Sequence, residues 1–277
     1  MDKKDCSHFV MTIRTSYLVL RTLSLVPRTS YLVSPMVQIF FKEFNGFLNS
    51  LIAYIVIGVF LTAIGLLMWV FPDTAVLDYG YADMDTLFLL GPYVFIFLVP
   101  AITMRSFAEE KKAGTIELLL TKPVDDWDII MGKFLANFFL VLFALVPTVL
   151  YYFSISALGN PPGNIDTPGV IGSYIGIAFL AAVFCSIGIL ASSVTPNQIV
   201  AFILAAFLCF LTYLGFDSIS SLEVWTDHSL LIKQLGILYH YDSMRKGLLD
   251  TRDVVYFLSV IFLMLSFTKL ILSSRQW

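Results

Sequence analysis

Six long segments of this chain, 47–71, 87–104, 134–157, 170–192, 198–216 and 254–268, contain no Asp, Glu, Lys, Arg or His. A bilayer's hydrocarbon is about 30 Å thick and a helix rises about 1.5 Å per residue, so about 20 apolar residues cross it. Most of the six segments are long enough as they stand. The last becomes so when it runs past Lys269 to Leu272, with the lysine snorkelling to the interface. In hydrocarbon no water bonds the backbone, which leaves helices or closed barrels, and continuous apolar runs select helices. Composition agrees: 58% of residues are apolar and 13% charged, against about 25% charged in ordinary soluble domains, and mean hydropathy is +0.85. The expected fold is an all-α membrane protein with six transmembrane helices over about 47–71, 87–104, 134–157, 170–192, 198–216 and 254–272.

Charge asymmetry orients such a bundle. With the N-terminus inside, thirteen of the seventeen Lys and Arg residues are cytosolic, and only Lys233, Arg245, Lys246 and Arg252 lie outside. Both termini are therefore expected in the cytosol. Trp69, Trp127 and Trp277 fall near span ends, where amphipathic rings anchor. The net charge of -3, with no basic patch beyond these topogenic residues, argues against a nucleic-acid partner.

Residues 1–35 differ from the rest. "RTSYLVL", "RTLSLVP" and "RTSYLVS" are consecutive blocks of seven from Arg14. They lack sustained e/g charges, and Pro27 breaks the period, so a coiled coil is disfavoured. We expect a repeat-containing extension without a functional role, with Met36 as the working start; an Arg-rich, acid-poor presequence is the rival. From Met36, "MVQIFFKEFNGFLNS" sets Phe40, Phe41, Phe44, Phe47 and Leu48 at i, i+3, i+4 spacing. This predicts an N-terminal interfacial amphipathic helix leading into a six-span domain over 36–277.

Several chemistries are excluded. Cys185 and Cys209 fall inside spans, where thiols act as small apolar residues. His228 and His240 match no metal-ligand spacing, and neither G-x-S-x-G nor H-E-x-x-H occurs, so the chain is not expected to be an enzyme. The span interiors hold no ionisable residue of the kind that ion-coupled carriers need at membrane depth. Energy for uphill transport would then enter from outside the bilayer, although a break at Gly91, Pro92 or Pro100 could bind sodium through backbone carbonyls.

The polar stretch after the second span has its own punctuation. Ser106 with Glu109 fits a capping box, and Gly114 is a stop. Thr115 then caps a second element whose Ile116, Leu119 and Leu120 share a face before Pro123, and Asp125 caps the entry to the third span. By residue type alone this is an exposed pair of short helices, and a solvated loop without a role is equally compatible.

The stretch "EEKKAGTIELLLTKPVDDWDIIMGKFL" resembles the cytosolic consensus of ABC exporter permeases of the second type: acidic and basic residues, G-T-I/L-E, two leucines, a Pro, and G-K before the next span. Glu109, Glu110, Gly114, Thr115, Glu117, Leu119, Leu120, Pro123, Gly132 and Lys133 match it. A second stretch, "YHYDSMRKGLLDTRDVVYFLSV", follows that family's pattern before the sixth span, with His240, Arg245, Gly247, Asp250 and Asp253 among its matching residues. Upstream, 222–238 would form short helices dipping into the outer leaflet, and a soluble cap without a transport role is the alternative. The resemblance covers about 36–277 and is strongest to permeases associated with gliding motility in Bacteroidetes-type bacteria, from which Leu51, where Pro is expected, and Lys246 depart.

The resemblance implies a cytosolic coupling helix whose ATPase-coupling interface comprises Arg105, Glu109, Glu110, Gly114, Thr115, Glu117, Leu119, Leu120 and Pro123. It implies an ATP-binding cassette subunit as partner, since the chain has no G-x-x-x-x-G-K-S/T pattern,. ATP and Mg would then bind that partner, with no cofactor or metal on this chain. It further implies a second permease chain, identical or paralogous, and a place in the cell inner membrane. A non-transporting scaffold for a motility or secretion machine, and a secondary carrier, remain the rival functions.

Overall fold

The computed structural model describes residues 34–78, 80–115, 124–221 and 229–274, and among them every regular element is helical. Helix α1 is Pro35–Leu48, with Pro at the first position, where a missing N–H costs nothing. Ser50 accepts from the Ile52 N–H and starts α2, Leu51–Trp69. The charge-free segment 47–71 is therefore divided: its first residues belong to the surface helix, and the span begins at Leu51. The second span is α3, Asp85–Thr103. After a single residue, Met104, the chain continues as the polar helix α4, Arg105–Lys112.

The third span is α5, Asp126–Leu145, then a 3-10 turn Val146–Thr148 and α6, Val149–Leu158. Pro147 removes a helical donor, and Thr148 Oγ1 takes up the Leu145 carbonyl at 2.7 Å. The fourth span, α7, is Thr167–Val194, capped by Asp166. The fifth, α8, is Gln198–Phe210, extended by a π-helical turn Leu211–Gly215 and α9, Phe216–Ser220. Short helices α10, Ser229–Leu235, and α11, Ile237–Arg245, precede the last span, α12, Thr251–Ser273, which Asp250 caps. Among the described residues, six helical stretches are long and apolar enough to cross a membrane.

The centre of the bundle is α7. Its most apolar window is 78% buried, against 28%, 22% and 17% for the first, fifth and sixth spans. It packs on α3, α4, α5, α8, α11 and α12, and its Gly172, Gly176 and Gly188 let neighbouring segments approach closely, the Gly247 backbone, Met244 and the Thr103 side chain respectively. Such small-residue contact holds helices together where lipid gives no hydrophobic drive. Alternating spans bring α1, α4 and the starts of α2 and α5 to one end, and α9, α10 and α11 to the other.

Pro92 and Pro100 lie inside α3, which stays continuous. Pro92 has no N–H for the Phe88 carbonyl, and Tyr241 Oη donates to that oxygen at 2.6 Å. A neighbouring helix thus satisfies the freed group, so the second span runs unbroken past both prolines.

Candidate coupling site

At the α1–α4 end, Gly132 and Lys133 sit at the second turn of α5. A Cβ on Gly132 would lie 2.8 Å from the Met36 carbonyl and 3.0 Å from Ile39 Cβ, so only glycine lets α1 pack there. That contact brings Glu43 of α1 over Lys133. The lysine is 1% exposed. Its Nζ lies 3.0 Å from Glu43 Oε1 and 3.1 Å from Glu110 Oε2. It donates to the Ser106 carbonyl at 2.7 Å and stands over the Phe107 ring, 5.1 Å from its centroid. Lys42 adds contacts of 3.3 Å to Glu110 and 3.5 Å to Glu43. Burial opposes the Lys42 charge, but Glu43 and Glu110 outweigh it and raise its pKa above the usual lysine value. Among the described residues Glu110 Oε2 has no hydrogen-bond partner, and it meets Lys133 as a charge 3.1 Å away. Two cations and two carboxylates thus join three elements, α1, α4 and α5, as a buried charge requires.

Helix α4 is held along one side. Ser106 is buried within it rather than capping it: its Oγ accepts from Asn137 Nδ2 at 2.7 Å. The capping box does not form because Met104 is helical and α3 barely ends before α4 begins. The cap comes instead from α7, where Ser192 Oγ accepts from the Phe107 and Ala108 N–H groups at 2.9 and 3.1 Å. Lys111 donates to the Ser193 carbonyl.

Arg105 pairs with Glu109 at 2.9 Å and donates to Ser50 Oγ at 3.3 Å. Glu109 is 51% exposed, whereas Glu110, at 15%, turns inward. Gly114 ends the helix with φ of +69°, a region that glycine enters without strain. The Thr115 N–H bonds the Glu110 carbonyl at 3.0 Å and the Gly114 N–H that of Lys111 at 3.3 Å, a Schellman cap. Lys112, Gly114 and Thr115 face outward. Glu117, Leu119, Leu120 and Pro123 lie outside the described residues.

The second motif is at the far end of the bundle. His240 Nδ1 is 2.7 Å from Asp253 Oδ1 and Nε2 is 2.9 Å from the Gln234 carbonyl. Its ring stacks on Tyr256 at 3.9 Å. Arg245 bridges Asp85 at 2.7 Å and Asp242 at 2.8 Å, and Lys246 reaches Asp242 at 3.0 Å. Burial opposes ionisation of Asp242, yet hydrogen bonds from Arg245 and Lys246 hold it below the usual carboxylate range. Gly247, at φ +77°, repeats the Schellman cap, with Leu248 N–H bonding the Ser243 carbonyl at 3.3 Å and Gly247 N–H that of Met244 at 2.9 Å,. Asp250 accepts from the Arg252 N–H at 3.1 Å. Of these, His240, Asp242, Lys246, Asp250, Arg252 and Asp253 border a cleft of about 1080 Å³.

The fold thus gathers Arg105, Glu109, Glu110, Gly114 and Thr115 at one end and His240, Arg245, Gly247, Asp250 and Asp253 at the other. Missing from the sequence-level site are Lys42, Glu43, Lys133 and Ser192. The Gly132–Lys133 pair was the available signal for Lys133, while Glu43 lies 90 residues away from it in sequence. Among the described residues neither end presents a nucleophile with a base, and no cluster of three or more His, Cys, Asp or Glu is placed to hold a metal. What the arrangement offers is mechanical: a charged helix exposed on one side and bolted to the membrane bundle on the other.

A family model described as ABC-2 family transporter protein matches residues 72–272, from just after the first span to the end of the sixth. No curated protein matches the chain.

Proposed function

Because the chain belongs to the ABC-2 family of transporter proteins, we propose that it is the membrane subunit of an exporter whose separate ATP-binding subunit drives movement through α4. The observation that carries this reading is the two-sidedness of α4. Glu109 and Lys112 are exposed, while Ser106, Glu110 and Lys111 are fixed to α5 and α7. A partner pushing on the outer side therefore moves the bundle rather than a free loop. Exposed charges suit a partner that must engage and release in each cycle.

The partner holds ATP and Mg in this reading, and α4 faces the cytosol together with both termini. Helix α7 fills the centre of the bundle, so the transport path lies between this chain and a second permease copy or a paralogue. The process we attach to the exporter is gliding motility in a bacterial inner membrane, on the similarity of 41–61, 104–124 and 240–250 to permeases of that type.

The test is purification from native membranes in mild detergent, followed by identification of the co-purifying proteins. An ATP-binding subunit is expected, with its hydrolysis uncoupled when Glu109 and Glu117 are both changed to Gln. Recovery of the folded chain with no ATPase would refute the reading. A deletion strain that glides normally would remove the motility assignment alone.

A further inference from the structure

The two motifs lie at opposite ends of the bundle, yet both rest on α7. At the α4 end, a Cβ on Gly188 would overlap Thr103 Oγ1 and lie 2.7 Å from Thr103 Cβ, so α3 and α7 touch one residue before α3 gives way to α4. Just beyond, Ser192 Oγ takes the Phe107 and Ala108 N–H groups and donates to the Met104 carbonyl at 3.1 Å. One hydroxyl on α7 therefore bonds both sides of the α3–α4 junction. Lys111 adds its bond to the Ser193 carbonyl.

At the other end, a Cβ on Gly172 would lie 2.7 Å from the Gly247 carbonyl, and one on Gly247 would lie 2.6 Å from Gly169 Cα. The Ser173 hydroxyl lies 2.6 Å from the Arg245 carbonyl and 2.9 Å from the Gly169 carbonyl. Its single proton has two acceptors, one on α11 and one on α7 itself. The hydroxyl thus ties the end of α11 to α7. Between the seats α7 is one unbroken helix, with Pro only in its first turn. The nineteen residue-to-residue steps from Ser173 to Ser192 span about 28 Å at about 1.5 Å each. A packed helix of that length transmits displacement along its axis, because close-packed interiors compress little.

We propose that α7 is the rod that carries the motion of α4 to the motif around Arg245 and Gly247, with Ser192 and Ser173 as the positioning residues at its two ends. The proposal rests on the coupling role assigned to α4, and adds that motion enters the fourth span directly.

The test uses the full chain with its co-purified ATP-binding subunit in nanodiscs. Amide hydrogen exchange is compared without nucleotide and with ATP plus vanadate. In the unmodified complex, nucleotide is expected to change exchange both in 105–115 and in 241–249. In Ser192→Ala, and independently in Ser173→Ala, the change in 105–115 persists while that in 241–249 shrinks about fivefold or more, the lower end of ordinary coupling factors. Ser192→Thr, which keeps the hydroxyl, restores it, and unaltered exchange across the α7 interior certifies the fold. Undiminished change in 241–249 in both alanine variants overturns the rod and leaves the role of α4 standing. No nucleotide response in 105–115 of the unmodified complex overturns both.

Discussion

Replacing Lys133 by Met removes a cation that is 1% exposed and lies 3.0 and 3.1 Å from two carboxylates. Breaking a buried ion cluster from one side costs about 3–5 kcal/mol, because the remaining charges stay desolvated. Glu43 and Glu110 keep some solvent contact, and Lys42 remains 3.3 Å from Glu110. Screening therefore puts the cost at the lower end, about 3 kcal/mol. At about 2–4 °C per kcal/mol for a chain of this size, Tm falls by about 6–12 °C. Neutralising the buried lysine together with both carboxylates, in Lys133→Met with Glu43→Gln and Glu110→Gln, leaves only Lys42 charged, whose side chain is 66% exposed, and recovers most of that loss,. Thermal unfolding in mild detergent, with Cys6→Ser in every variant, is read by a thiol-reactive dye at Cys185 and Cys209, both buried in the fold. A single variant whose Tm stays within about 1 °C of the parent would refute the reasoning, since it would mean that the cluster holds no net energy.

Three further outcomes follow from packing and charge. Tyr241→Phe leaves the Phe88 carbonyl without its donor and costs about 1–3 kcal/mol, read as a lower Tm in the same assay; an unchanged Tm would show that the carbonyl finds another partner. Gly132→Ala forces a methyl against the Met36 carbonyl and displaces α1, costing about 1–3 kcal/mol, visible as faster proteolysis within 36–48; unaltered cleavage would contradict the packing. Asp242 has a depressed pKa, so the stability it adds is present above its unfolded value of about 3.9 and fades as pH falls through the folded one. The Tm difference between parent and Asp242→Asn should therefore shrink from pH 6 to pH 3.5, and a gap that widens on acidification would reverse the sign of the argument.

The six spans are legible in the sequence because hydrocarbon imposes a length and a composition that no local detail can override. Turn chemistry is legible in part: Gly114 ends its helix at positive φ, and Asp125 stands at the N-cap position of the third span, although among the described residues its side chain accepts no cap hydrogen bond. Ser106 is misread because its spacing to Glu109 fits a cap, while the real cap, Ser192, is more than eighty residues away. Lys133 reads as one more positive residue at a span end until α1 folds back and sets Glu43 beside it. Pro92 reads as a possible break until Tyr241, 153 residues after Phe88, takes the Phe88 carbonyl it frees. What the sequence hides in each case is a partner brought by tertiary packing, and those partners turn a charged loop into a mechanically anchored helix.

The central claim is that the outer side of α4 engages an ATP-binding subunit. A photo-crosslinking residue placed in turn at Glu109, Lys112 and Leu248, in the native membrane, tests it most directly. The account predicts capture of an ATP-binding subunit from Glu109 and Lys112 and not from Leu248, at the other end of the bundle. Capture of that subunit from Leu248 alone, or from none of the three, would contradict it.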